Sequence, residues 1–192
     1  MDNPLIWNEE SRKVVYTCPI FSIGERICRS PVGKLKTYTV LDTTDWAIVI
    51  PVWETKQGRE FVMVKQWRHG ARELSLEFPG GVMEKGEKPE DAALRELMEE
   101  TGYRAGKIEK LGMAHPNPAL MSNRVHFFYA YDLETPLEQK LDEDEYVEVI
   151  TVPCDDVFKG LGKPPYIHAL MSTAMALYLK FIYTNKKNPF GN

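Results

Sequence analysis

Residues 81–103 read Gly81-Val82-Met83-Glu84-Lys85-Gly86-Glu87-Lys88-Pro89-Glu90-Asp91-Ala92-Ala93-Leu94-Arg95-Glu96-Leu97-Met98-Glu99-Glu100-Thr101-Gly102-Tyr103. A glycine-bearing loop gives way to a helix over 89–101. Pro89 suits the first helical turn, where a missing N–H is no loss, and Glu90 and Asp91 suit the positive helix start. Gly102 ends the helix. Leu94, Leu97 and Met98 make an apolar stripe that can dock on a sheet. The remaining acids need a different account. Glu96 and Glu100 stand four apart on one face, and Glu99 is three from Glu96. Like charges about 5 Å apart repel by roughly 3 kcal/mol at an effective dielectric of 20. Solvent, and Arg95 four residues from Glu99, relieve part of that. Two readings stay open at this point: a solvated acidic helix, or a divalent-cation site that turns the repulsion into binding energy.

Outward from this stretch the chain alternates strands and turns. Before it, Trp46 to Trp53 and Phe61 to Trp67 read as buried strands around a polar turn at Glu54 to Arg59. Further back, Val14 to Cys18, Phe21 to Cys28 and Leu35 to Leu41 read as short strands of a small antiparallel sheet, with Pro31-Val32-Gly33-Lys34 as a turn. After it, strands recur near Ile108 to Ala114, Arg124 to Asp132 and Tyr146 to Val152. Ile167, Leu170, Met171, Ala174, Leu177, Tyr178 and Phe181 recur at steps of three and four, a helix packed on a core. Strands, one helix, more strands and a terminal helix predict an α/β or α+β sandwich.

Composition narrows the class. The chain has 192 residues, 43% hydrophobic and 27% charged, as in an ordinary soluble domain. A net charge of −4 with no basic block argues against a nucleic-acid partner, which needs clustered Lys and Arg. It leaves room for a free nucleotide. Cys18, Cys28 and Cys154 are too few and too scattered for a disulfide framework and read as packed thiols. Met1 to Glu10 has no basic start and no apolar run, so a signal peptide is not expected. The apolar tract from Tyr166 to Tyr183 is interrupted by His168, Ser172, Thr173 and Lys180, so no membrane partner is expected either. A cytoplasmic protein is the reading.

The quoted stretch resembles the Nudix box: a glycine, five residues, Glu, seven residues, then Arg-Glu-apolar-x-Glu-Glu-x-Gly-apolar. Gly81, Glu87, Arg95, Glu96, Leu97, Glu99, Glu100 and Gly102 fill its fixed positions. Tyr103 is aromatic where an aliphatic residue is usual. The resemblance implies a loop–helix–loop on an α/β/α sandwich. It implies Mg²⁺ as cofactor, with Mn²⁺ as a possible substitute, held by Glu96, Glu99, Glu100 and the backbone carbonyl of Gly80. Glu99 then also belongs with the catalytic groups. Gly81, Glu87, Arg95 and Gly102 are implied as structural, with Glu87 and Arg95 paired.

The flanks resemble the branch that cuts ADP-ribose and nucleoside-diphosphate sugars. Gln66-Trp67-Arg68 and Leu76-Glu77-Phe78-Pro79-Gly80-Gly81 are similar to its strand end and its entry to the box, and Pro118 lies near where the branch carries a proline. Arg68, Trp46, Glu77 and Pro118 are therefore candidate substrate-binding residues. Arg68 is equally readable as a surface ion-pair partner, and Trp46 and Trp67 as core or dimer contacts. His115 and His126 read as structural. Residues 1–43 would form a dimerising β-segment and 44–192 the Nudix domain of a homodimer.

The implied reaction is attack of water on a pyrophosphate phosphorus, giving a nucleoside monophosphate and a sugar phosphate. Three acids committed to a cation are not free to take a proton. The acidic run Asp142-Glu143-Asp144-Glu145 then offers Glu143 and Glu145 as base, against the plainer reading of a solvated loop. A nucleoside triphosphatase, a silent nucleotide-binding module and a structural domain stand as alternatives.

Overall fold

The computed structural model describes residues 3–134, 136–139, 141 and 146–185. The chain divides into two compact units, residues 1–45 with 115–124, and residues 46–114 with 125–192. In the first, β1 (Asn8–Thr17), β2 (Ser22–Arg29) and β3 (Leu35–Asp42) form an antiparallel meander in that order. The turn between β2 and β3 closes where expected, with Ser30 N donating to Lys34 O at 2.8 Å. Gly33 supplies the positive φ of 83° that the turn requires. The segment 115–124 joins this unit through Leu41 N to Leu120 O at 2.8 Å and Ser122 N to Leu41 O at 3.1 Å. The loop carrying Pro118 thus packs with the N-terminal strands, although sequence order places it far from them. Every residue of β1 is exposed, Val14, Val15 and Tyr16 included.

The second unit is a mixed sheet with helices on both faces. Its strands are β4 (Trp46–Thr55), β5 (Gly58–Arg68), β6 (Glu73–Glu77), β7 (Gly80–Val82), β8 (Ala105–Ala114), β9 (Val125–Leu133) and β10 (Glu148–Pro153). The order is β10-β5-β4-β9-β8, with β6 beside β5 and β7 beside β4. β4 runs parallel to β9 and antiparallel to its other partners. One edge of β4 is shared: Trp46 to Ile48 pair with β7, and Val52 to Thr55 pair with β5. Pro51, which has no N–H to give, falls in the gap between them.

Alternation sorts the central strands. Ala47, Val49, Val62, Phe128 and Ala130 point to α1 (Pro89–Thr101), where they meet Ala92, Ala93 and Leu97. Ile50, Val52, Phe61, Met63, Phe127 and Tyr129 point to the other face. There they meet α2 (Cys154–Gly160) and α3 (Ala169–Thr184) through Val157, Met171, Ala174, Met175 and Tyr178. Strands buried on both faces read as unbroken apolar runs. Leu97 is fully buried, and burying a leucine stabilises by about 2 kcal/mol. The docking face of α1 differs from the expected Leu94, Leu97 and Met98. Two alanines take the central contact and let the helix lie close to the sheet, while Leu94 and Met98 are only half-buried. Cys18, Cys28 and Cys154 are free thiols, the last buried. Among the described residues no helix is long and apolar enough to cross a membrane.

Candidate active site

The ends of α1 set its position. Pro89 begins it, and Gly102, in the left-handed region at φ 74°, returns its N–H to Met98 O at 2.9 Å. Packed by Ala92, Ala93 and Leu97, the helix brings the next part of its surface, Glu96 and Glu100, against β7. Gly80 N donates to Glu100 Oε2 at 2.9 Å. The Glu96 carboxylate lies against Gly81: a β-carbon there would stand 2.6 Å from Glu96 Oε1. At Gly80 a β-carbon would stand 2.3 Å from Ala47 O on β4. The two glycines are thus needed for close approach, one to the sheet and one to an acid.

Arg95 lies among the acids. Its Nε donates to Glu87 Oε1 at 2.9 Å and Nη2 to Glu87 Oε2 at 3.1 Å. Nη1 donates to Glu96 Oε1 and to Glu99 Oε2, both at 2.9 Å. One guanidinium therefore offsets three carboxylates, which answers the Glu96–Glu99 part of the repulsion expected from spacing, while Glu100 is held by Gly80 N. Arg95, assisted by the backbone N–H of Glu84, holds the Glu87 carboxyl below the usual range. The same contacts, led by Glu87, hold Arg95 protonated well above an ordinary arginine.

A second pair stands on β5 and β6. Arg68 Nε donates to Glu77 Oε1 at 2.8 Å and Nη2 to Glu77 Oε2 at 2.6 Å, a two-pronged contact. Burial opposes ionisation of Glu77, whose side chain is 5% exposed, but the Arg68 fork outweighs it and holds the carboxyl low. Glu100 adds to the field that keeps Arg68 charged, which ties this pair to the helix acids. His168 Nδ1, just before α3, lies 3.7 Å from Glu77 Oε2. Burial holds this imidazole below its usual value, Glu77 pulling against that and Arg68 with it. His168 escaped the sequence reading, because one histidine ahead of an apolar stripe carries no pattern. In the β5–β6 register Arg68 stands opposite Glu73 and Glu77 opposite Val64, so the arginine reaches along the hairpin to Glu77, a contact equally invisible in a linear motif.

Trp46 is half-buried at the start of β4, paired with Val82 and Val125 and packed on the α3 side of the core. Trp67 is 49% exposed, opposite Leu74. Pro118 is exposed within the first unit. There His115 Nδ1 meets Asn123 O at 3.0 Å. His126 sits in β9 between Ala47 and Met113. Glu143 and Glu145 lie outside the described residues.

The oxygens gathered here suit a hard divalent cation, which takes carboxylate and carbonyl ligands. Glu96 and Glu100 already border one dipeptide, Gly80-Gly81. Among the described residues no three acidic, histidine or cysteine side chains close on a single point. Glu96 and Glu99 are instead turned onto Arg95.

Residues 43–171 match the NUDIX domain family. The chain belongs to this family. The Nudix chain is 41% identical over 131 residues to the ADP-ribose pyrophosphatase of Bacillus subtilis (strain 168), covering 67% of this chain and 69% of that one. It is 34% identical over 146 residues to the ADP-sugar pyrophosphatase of Mus musculus, covering 68% and 66%. The matched segments thus span about two thirds of both relatives. A crystal structure of an ADP compounds hydrolase superimposes with a TM-score of 0.84 over 98% of this chain and 100% of the other, at 19% identity. The fold is the expected Nudix-type mixed α/β sandwich with a small N-terminal antiparallel sheet. The chain is a Nudix pyrophosphohydrolase.

Proposed function

We propose that this Nudix pyrophosphohydrolase cuts the pyrophosphate bond of ADP-ribose or a related nucleoside-diphosphate sugar in a Mg²⁺-dependent reaction. The products are a nucleoside monophosphate and a sugar phosphate. The observation that carries this reading is the meeting of Glu96 and Glu100 on Gly80-Gly81, beside the Arg68–Glu77 pair. The names of the two sequence relatives support the substrate class.

Glu96, Glu99, Glu100 and the Gly80 carbonyl would hold Mg²⁺, or Mn²⁺ in its place. When bound, the cation neutralises charge on phosphate oxygens and lowers the pKa of an attacking water. The chain's own groups do the rest. Glu77 fixes the plane of Arg68, whose 40% exposed side chain offers its open edge to a phosphate oxygen. Arg95 holds Glu87 and so the loop leading into α1. Glu143 or Glu145 takes the proton of the attacking water, because the helix acids are committed to the cation. That last role rests on the acidic run in the sequence.

The test is a substrate panel with Mg²⁺, read by product chromatography. ADP-ribose or another nucleoside-diphosphate sugar should show the highest kcat/KM. A nucleoside triphosphate that outruns every diphosphate sugar overturns the substrate class. Tight binding without turnover overturns catalysis.

A further inference from the structure

The carboxyl end of α1 does not simply run into solvent. The segment that follows β9 returns to it and makes three hydrogen bonds there. Glu134 N donates to Arg104 O and Leu137 N to Gly102 O, both at 2.9 Å. The side-chain amide of Gln139 donates through Nε2 to the backbone carbonyl of Glu100. The contact is close enough to exclude a side chain: a β-carbon on Gly102 would stand 2.1 Å from Leu137 O. Gly102 is therefore required twice, by its φ of 74° and by the strap lying on it.

The last turn of a helix leaves carbonyls without partners, and such ends fray. Here Gln139 meets one of them, on the residue whose side chain faces the site. The Glu100 carboxylate accepts from Gly80 N at 2.9 Å, while its carbonyl accepts from Gln139. Glu100 is thus gripped at both ends, by the sheet through its side chain and by the strap through its backbone. A small rotation of the final turn would swing the carboxylate away from Gly80. Displacement of a site group by about 1 Å costs on the order of 10²-fold in rate.

We propose that Gln139 is a positioning residue for Glu100. Its amide donor holds the last turn of α1 in the rotation that presents the Glu100 carboxylate to a divalent cation. This rests on the reading of Glu100 as a cation ligand. The role needs a donor, not the bulk of glutamine, and that separates it from packing. Glutamate has the same size but, when ionised, offers only acceptors to a carbonyl. Lysine is a donor, and its charge suits a helix carboxyl end.

The experiment measures Mn²⁺ affinity of the substrate-free protein by the electron paramagnetic resonance of free Mn²⁺. Alongside it run kcat and KM for ADP-ribose with Mg²⁺, and Tm. Gln139→Glu should weaken Mn²⁺ binding by about tenfold and lower kcat similarly, the low end for loss of a group supporting a metal ligand, with KM little changed. Gln139→Lys should keep both near wild type. If Gln139→Glu fails to fold, Gln139→Met, which removes the amide donor at similar side-chain length, takes its place with the same expectation. Wild-type Mn²⁺ affinity in the donor-less variant overturns the proposal. So does an equal loss in the glutamate and lysine variants with a lowered Tm, since that is a packing role. Glu100→Gln separates the two readings. If it binds Mn²⁺ as wild type does, the cation site itself is misplaced. If it loses Mn²⁺ while the Gln139 variants do not, only the strap's role fails.

Discussion

Arg95 holds Glu87, Glu96 and Glu99 together, and its removal should be felt before any substrate is added. Arg95→Met leaves three carboxylates facing one another with their main counter-charge gone. Hydrogen bonds to charged groups contribute about 1.5–3 kcal/mol each, and partial exposure of Arg95 trims that. A net loss of about 2 kcal/mol is expected, read as a lower urea midpoint at constant slope. Added Mg²⁺ should recover part of it, and an unchanged midpoint would show that solvent already screens the acids. Glu100→Gln makes the opposite case. An amide oxygen still accepts from Gly80 N, so stability should hold while kcat falls by about 10²-fold or more, the scale of a lost electrostatic catalytic element. Near-normal turnover in this variant would remove Glu100 from the site. At this scale the helix acids were legible, because their spacing alone places them together. Glu77 with Arg68 and His168 was not, because Arg68 reaches Glu77 along a hairpin that sets it opposite Glu73, and a helix start in another part of the chain adds His168.

The limits of α1 were legible to the residue, since proline and glycine act locally at its two ends. Elements without such signals were missed or misplaced. β7 is Gly80-Gly81-Val82, with no strand-forming composition, and exists because β4 offers an edge. α2 has seven residues, too few for a period to show. β1 begins at Asn8, earlier than its apolar residues suggest, since pairing with Arg29 extends it through polar positions. The strap on Gly102 leads to a comparison between two glycines of similar φ. Gly86, at 83°, has nothing within 4 Å of a would-be β-carbon, whereas Gly102 meets Leu137 O. Gly86→Ala should carry only the left-handed penalty of about 1–2 kcal/mol. Gly102→Ala should lose clearly more, measured as the difference in Tm, and should lower kcat as well. Equal shifts for the two would mean that the strap moves aside freely.

For the whole chain, we expect a homodimer built on the N-terminal sheet. Val14, Val15, Tyr16, Ile27 and Tyr38 are all exposed on a three-stranded piece, more apolar surface than a small sheet usually leaves open. Light scattering at micromolar concentration should give twice the chain mass, and Tyr16→Glu should shift it toward the monomer. A wild-type monomer would refute this. Acid should destabilise the fold in two stages. His168 is held below its ordinary 6.5, so the unfolded chain takes up that proton first and stability begins to fall as pH drops past about 6.5. Glu77 and Glu87 are held below their ordinary 4.5; their contribution is full above that value and is lost as pH falls toward their folded values. Thermal unfolding from pH 8 to pH 3 should show both stages, and His168→Asn should erase only the first. The pairing of β4 bears on how the protein is made. One edge of β4 is filled by residues 58–61 and 80–82, but the other waits for residues 125–130. During translation at about 5–20 residues per second, the run from Trp46 to Val52 leaves the ribosome about 4–16 s before its parallel neighbour. For that interval one of the most apolar strands of the molecule has an open edge, the point at which a nascent chain most needs a holding chaperone.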